Sequence, residues 1–163
     1  MRQSREITSL GLSILAIIIA FAGFLQGNSL FSIAGVKINV VLAALIAFSF
    51  FVERIPKFAF LVLIAGIFIR FRPGIERELL VLMVVAFLAY IAQEKLPGKP
   101  FINCILLQVI GTLVFLVIID VHFISFAPSV VIQETVYNTA IGVLLFLGAE
   151  QFIPYGKTKR FTA

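Results

Sequence analysis

The chain has 163 residues, 61% of them apolar and only 13% charged, with a formal net charge of +5. That balance places it among membrane proteins rather than soluble domains. The basic residues are scattered among short inter-segment stretches and the two ends, with no stripe interleaved with aromatics, so a nucleic-acid partner is excluded. Arg2 and Arg5 precede the first uncharged run, 7–25, whose nineteen residues approach the roughly 20 a helix needs to cross a hydrocarbon core. Ala20-Phe21-Ala22 satisfies an A-x-A cleavage pattern. The apolar run is nevertheless longer than a usual signal-peptide core and continues through Gly23, Phe24 and Leu25, so a retained helix is expected. Ala16, Ala20 and Gly23 form a small-residue stripe at helical spacing, suited to close packing on a neighbouring helix.

A polar, glycine-bearing connection, 26–37, leads to three shorter uncharged runs: 38–52, 58–69 and 79–92, of fifteen, twelve and fourteen residues. Each falls below the usual spanning length. The third run is bracketed by Lys57 and Arg70, whose long side chains can reach the headgroups and so permit a full crossing. Proline-bearing turns at 53–57, 72–74 and 96–100 separate the runs. The fifth run, 101–119, carries Asn103, Gln108, Gly111 and Thr112, residue types that join membrane helices to one another. Its lone cysteine, Cys104, has no disulfide partner and reads as a small core residue. A loop without lysine or arginine, 120–129, precedes the last run, 130–153.

With six crossings and the amino terminus in the cytoplasm, nine basic residues lie inside and four outside: Lys37, Arg70, Arg72 and Arg77. Making the third run re-entrant gives seven against six, so the positive-inside rule favours six crossings with both ends in the cytoplasm. The expected fold is therefore an all-α, polytopic bundle of about six transmembrane helices with almost no soluble domain.

The last run is apolar enough to span, yet holds Glu134, Tyr137 and Asn138 in its first half. On a helix Glu134, Asn138 and Gly142 fall at i, i+4 and i+8, so a carboxylate, an amide and bare backbone share one face with Tyr137 beside them. Such a face should meet protein, either the helix's own bundle or a partner. A second reading stays open: a helix starting after Pro128 puts Glu134 only about six residues, or roughly 9 Å, from its start, within reach of the interface.

Little in the chain supports catalysis. His122, Asp120 and Ser125 are the types of a triad without evidence of its geometry. One histidine and one distant cysteine are too few for a metal site, and no phosphate-binding glycine motif occurs. The expectation is a non-enzyme without metal or cofactor. Arg70, Arg72, Glu76, Arg77 and Glu78 form a mixed-charge loop, read either as a docking surface or as a solvated, self-paired stretch.

Several short segments resemble the MreD family of bacterial inner-membrane proteins: Lys37-Ile38-Asn39-Val40-Val41-Leu42, Leu88-Ala89-Tyr90, Lys99-Pro100-Phe101-Ile102-Asn103, and above all Glu134-Thr135-Val136-Tyr137-Asn138 followed by Gly142 and Phe146. The chain departs from the family where Gly66-Ile67-Phe68-Ile69 runs into Arg70 instead of an aspartate. The resemblance implies a non-catalytic subunit of the rod-shape system in the cytoplasmic membrane. Its partners there would be MreC, the RodA glycosyltransferase with its transpeptidase, and, indirectly, the actin-like MreB, keeping peptidoglycan elongation along the cell cylinder. The competing class is the substrate-binding subunit of an energy-coupling-factor vitamin transporter, similar in size and helix number. Ala16-Ile17-Ile18-Ile19-Ala20 looks like the motif such subunits present to their partner. A vitamin binder needs a polar pocket built from several segments, and the outer loops offer mainly Asn28, Ser29, Ser32, the arginines and His122.

Overall fold

In a computed structural model of the chain, residues 7–27, 32–33, 36–69 and 77–152 are described. Apolar runs bounded by asparagine, glycine and proline become helices: α1 (Ser9–Gly27), α2 (Val40–Ser49), α3 (Ile55–Ile69), α4 (Arg77–Lys95), α5 (Pro100–Ile119), α6 (Val121–Phe126) and α7 (Pro128–Phe152). Between α1 and α2 sits a minimal antiparallel hairpin, β1 (Ser32–Ile33) and β2 (Val36–Lys37), with Ser32 opposite Lys37. Pro100 and Pro128 occupy the first positions of α5 and α7, where a missing N–H costs nothing and the fixed φ suits the helix. The turn into α5 passes through Gly98 at φ +124°, a conformation that favours glycine. Glu78 in the first turn of α4 and Lys95 in its last complement the helix dipole.

Packing is organised around α2. All ten of its residues are buried. α1, α3, α4, α5 and α7 all pack on it, and they touch one another in the order α1, α3, α4, α5, α7. Among the described residues α1 and α7 do not approach each other, and α2 lies against both. The helices that surround α2 turn apolar side chains outward, as Ile17 and Phe21 on α1, Leu63 and Ile67 on α3, Val84 and Leu88 on α4, and Val136 and Leu144 on α7 show. α1, α5 and α7 are long and apolar enough to cross a membrane.

The elements differ from the expected spans most at the second run, the turn after it and the loop before the last run. The second run, expected over 38–52, is helical only for the ten residues of α2, about 15 Å at 1.5 Å per residue and half of a hydrocarbon core of roughly 30 Å. Asn39 stops it at one end by accepting from the Leu42 N–H, and the chain turns away at Phe50 and Phe51 at the other. The proline turn expected at 53–57 partly joins α3, since Pro56 fits in a first helical turn. The loop expected at 120–129 contains α6, which Asp120 separates from α5 by adopting an extended conformation. Ala127 then separates α6 from α7, because a residue before proline avoids the helical region. The turn at 72–74 and Arg70, Arg72 and Glu76 of the mixed-charge loop lie outside the described residues, while Arg77 and Glu78 begin α4.

Two aromatic groups fix the end of α2 remote from Asn39. Phe146 of α7 meets Phe50 edge-on at 5.7 Å and Phe51 at 5.1 Å, with Phe101 of α5 at 6.3 Å. Phe58 stacks on Tyr90 at 4.5 Å and meets Phe87 edge-on. The Tyr90 hydroxyl donates to the Glu53 carbonyl at 2.8 Å, pinning the α2–α3 turn to α4.

Candidate functional site

The polar residues that the apolar helices carry converge on the start of α2. Asn39 lies at the centre. Its backbone N–H donates to Asn138 Oδ1 at 2.9 Å, and its own Oδ1 accepts from the Leu42 N–H and from Gln26 Nε2, both at 3.1 Å. Gln26, near the end of α1, also accepts the Val41 N–H at 3.0 Å through Oε1. On α7, Asn138 Nδ2 donates to Thr112 Oγ1 of α5 at 3.4 Å. One turn along α5, Gln108 Nε2 donates to the Ala43 carbonyl at 2.8 Å. Orphan donors of a helix start, costly in a dry interior, are thus met by side chains from α1 and α7.

The location of this cluster follows from the helix lengths. Asn138 stands ten residues past Pro128, about 15 Å along α7. The α2 start therefore lies deep along the long helices. α5 and α7 run antiparallel in a fixed register, Thr112 meeting Asn138 and Gln108 meeting Gly142, and the same register carries Glu134 to the level of Leu116.

Glu134, Asn138 and Gly142 all lie on the buried face of α7, with Val131, Phe146 and Ala149 continuing the stripe. Asn138 is fully buried and Glu134 is 9% exposed. Gly142 leaves the space that Gln108 occupies: a Cβ there would overlap the Gln108 side chain, whose Cγ would stand 2.9 Å away. Tyr137 flanks the face, half-buried against the core. Ala16, Ala20 and Gly23 are not part of this cluster. Ala16 and Ala20 are partly covered on α1, and Gly23 is where α1 meets α3, a Cβ there falling 3.1 Å from the Ile69 nitrogen. Backbone cannot step aside as a side chain can.

Two members of the cluster, Gln26 and Asn39, are not among the residues expected to join helices, although Asn39 lies in a segment that carries the family resemblance. Gln26 falls in the polar connection after the first run, and nothing in its neighbourhood marks it otherwise. Asn39, directly before an apolar run, carries the signal of a helix N-cap and is legible on that ground. The other glue residues of α5 are all buried: Asn103 Nδ2 donates to the Leu96 carbonyl at 3.2 Å, and Gly111 makes room for Ile46 of α2. Gln108 Oε1 and Thr139 Oγ1 are buried without a hydrogen-bond partner among the described residues. Cys104 is fully buried with a free thiol.

Elsewhere the triad types take a local role. Asp120 Oδ1 accepts the His122 N–H at 2.9 Å, an exposed turn that starts α6, and Ser125 is exposed on the same helix. No three His, Cys, Asp or Glu side chains among the described residues come together as a metal site.

The chain is thus a helical membrane protein in which the polar side chains at the start of α2 bond to one another and to its backbone. The chain matches no protein-family model, no curated protein and no solved structure.

Proposed function

We propose that the protein is a non-catalytic subunit of the bacterial rod-shape and cell-wall elongation machinery, of the MreD type, which regulates cell shape by holding partner membrane proteins. It sits in the cytoplasmic membrane, crosses it about six times and keeps both ends in the cytoplasm, on the basic-residue count. Its partners are MreC and the other membrane components of that system, RodA and its transpeptidase, with MreB reached indirectly. The observation that carries this reading beyond the sequence resemblance is the closed polar cluster. Gln26, Asn39, Thr112 and Asn138 bond to one another and to the start of α2. A subunit that binds a polar vitamin would need such groups turned toward a ligand. Here they hold helices together, as a rigid scaffold requires.

Depleting the protein is expected to deform rod-shaped cells, and affinity purification in mild detergent to recover the elongation partners. A growth failure confined to scarcity of one vitamin, with shape intact and no such partners recovered, would replace this reading by the energy-coupling-factor subunit. Topology is tested separately with reporters fused after Lys99 and after Ala163, both expected to read cytoplasmic. A periplasmic reading at Ala163 means an odd number of crossings.

A further inference from the structure

α6 is six residues long and joins the end of α5 at Ile119 to the start of α7 at Pro128. Both neighbours are long and apolar enough to span a membrane. A short helix that links two such ends has one place to be, the boundary between hydrocarbon and water. Polar groups mark that level. Arg77 at the start of α4 is exposed and donates from Nη2 to the Ile118 carbonyl at 2.6 Å, while exposed Asp120 closes the turn onto the His122 N–H. A guanidinium and a carboxylate in this position belong with headgroups and water.

The surface of α6 is nevertheless not that of a water-facing loop. Phe126 is 92% exposed and Val121 57%, whereas Ile124 turns inward against the core. His122 and Ser125 are exposed on the same short helix. A surface that mixes an aromatic ring, a branched aliphatic and two polar side chains fits the layer where acyl chains meet glycerol and headgroups, because each kind of group finds its own solvent within a few ångströms. We propose that α6 is an interfacial anchor, and that its occupant is the lipid bilayer. Val121 and Phe126 dip into the shallow acyl region while Arg77, Asp120 and His122 hold the headgroup level, setting how deep the α5–α7 pair sits.

The chain contains no tryptophan, so each introduced one is a single reporter. Phe126→Trp reads the anchor. Val136→Trp reads depth, since Val136 is exposed on α7 about eight residues, or roughly 12 Å, past Pro128. The variants are reconstituted in phosphatidylcholine–phosphatidylglycerol vesicles whose acyl chains are brominated either near the carboxyl end or near the methyl end. Phe126→Trp is expected to be quenched at least about twofold more by the shallow bromines, and Val136→Trp more by the deep ones. Val121→Trp gives an independent reading on the same helix and is expected to follow Phe126→Trp. Water-like emission without quenching by either lipid, or the same depth profile as Val136→Trp, overturns the anchor. Neither result bears on whether the protein serves wall elongation.

Discussion

Gly142→Leu is expected to be the most damaging single change in the chain. The Gln108 side chain lies where any Cβ at Gly142 would go. It can swing away only by giving up its bond to the Ala43 carbonyl, and it is fully buried, so the amide would be left without a partner in a dry interior. Overpacking costs about 1–3 kcal/mol, and an orphaned buried polar group about 1–3 more. The sum is about 2–6 kcal/mol, a large part of the stability of a small protein. Cys104 supplies the readout, since its buried thiol should react with a maleimide only when the bundle opens. Gly142→Leu should bring labelling to much lower detergent-denaturant concentrations. Gly142→Ala should do so less, and its cost should shrink when Gln108→Ala is also present, because the two positions touch and cannot be additive. Cys104 as protected in Gly142→Leu as in the unaltered protein, or strict additivity in the Ala pair, would remove Gly142 from the α5–α7 contact.

Asn138→Leu comes second. Leucine fills similar space but offers no acceptor, so the Asn39 N–H, in a residue only 6% exposed, loses its partner at the start of α2. Interhelical hydrogen bonds in membranes average about 0.6 kcal/mol and reach about 1.7. The cost here should lie at or above the upper end, about 2 kcal/mol, because a buried backbone donor is abandoned. Thr112→Val removes only the longer 3.4 Å contact and should cost less than half as much. Equal losses for Asn138→Leu and Thr112→Val on the same thiol-labelling curve would mean that Asn138 does not hold the α2 start. Glu134→Gln on the same face keeps shape and hydrogen-bonding capacity, so it isolates the contribution of charge.

The polar face of α7 is legible in the sequence because the residues that break an apolar run fall at intervals of four. A carboxylate, an amide and a glycine at that spacing share one face of a helix. The burial of α2 on every side is not legible, because a run without a polar stripe is equally apolar whether it meets protein or lipid: α3 is as apolar and still turns Leu63 and Ile67 outward. Nor is its full length. Asn39 marks where the helix starts, but nothing in 38–52 marks its end, which the turn at Phe50 and Phe51 sets. The partners of Asn39 are also hidden, because Gln26 and Asn138 are set by three-dimensional register rather than local pattern. α6 is hidden by its brevity: six residues show too little periodicity to tell a helix from a loop.

The shortness of α2 also sets an order of events during synthesis. Ten apolar residues are about half of what commits a segment to stay in hydrocarbon by itself. The Asn39 N–H finds its acceptor on a residue 99 positions later, and the Ala43 carbonyl its donor 65 positions later. At roughly 5–20 residues per second, Asn138 is not yet made until about 5 to 20 s after Asn39. During that interval the start of α2 has no α7 to dock on, so the centre of the bundle is the last part to close. α7 is thus the keystone of assembly, and a chain released before α7 is made leaves the ribosome with its middle unsealed.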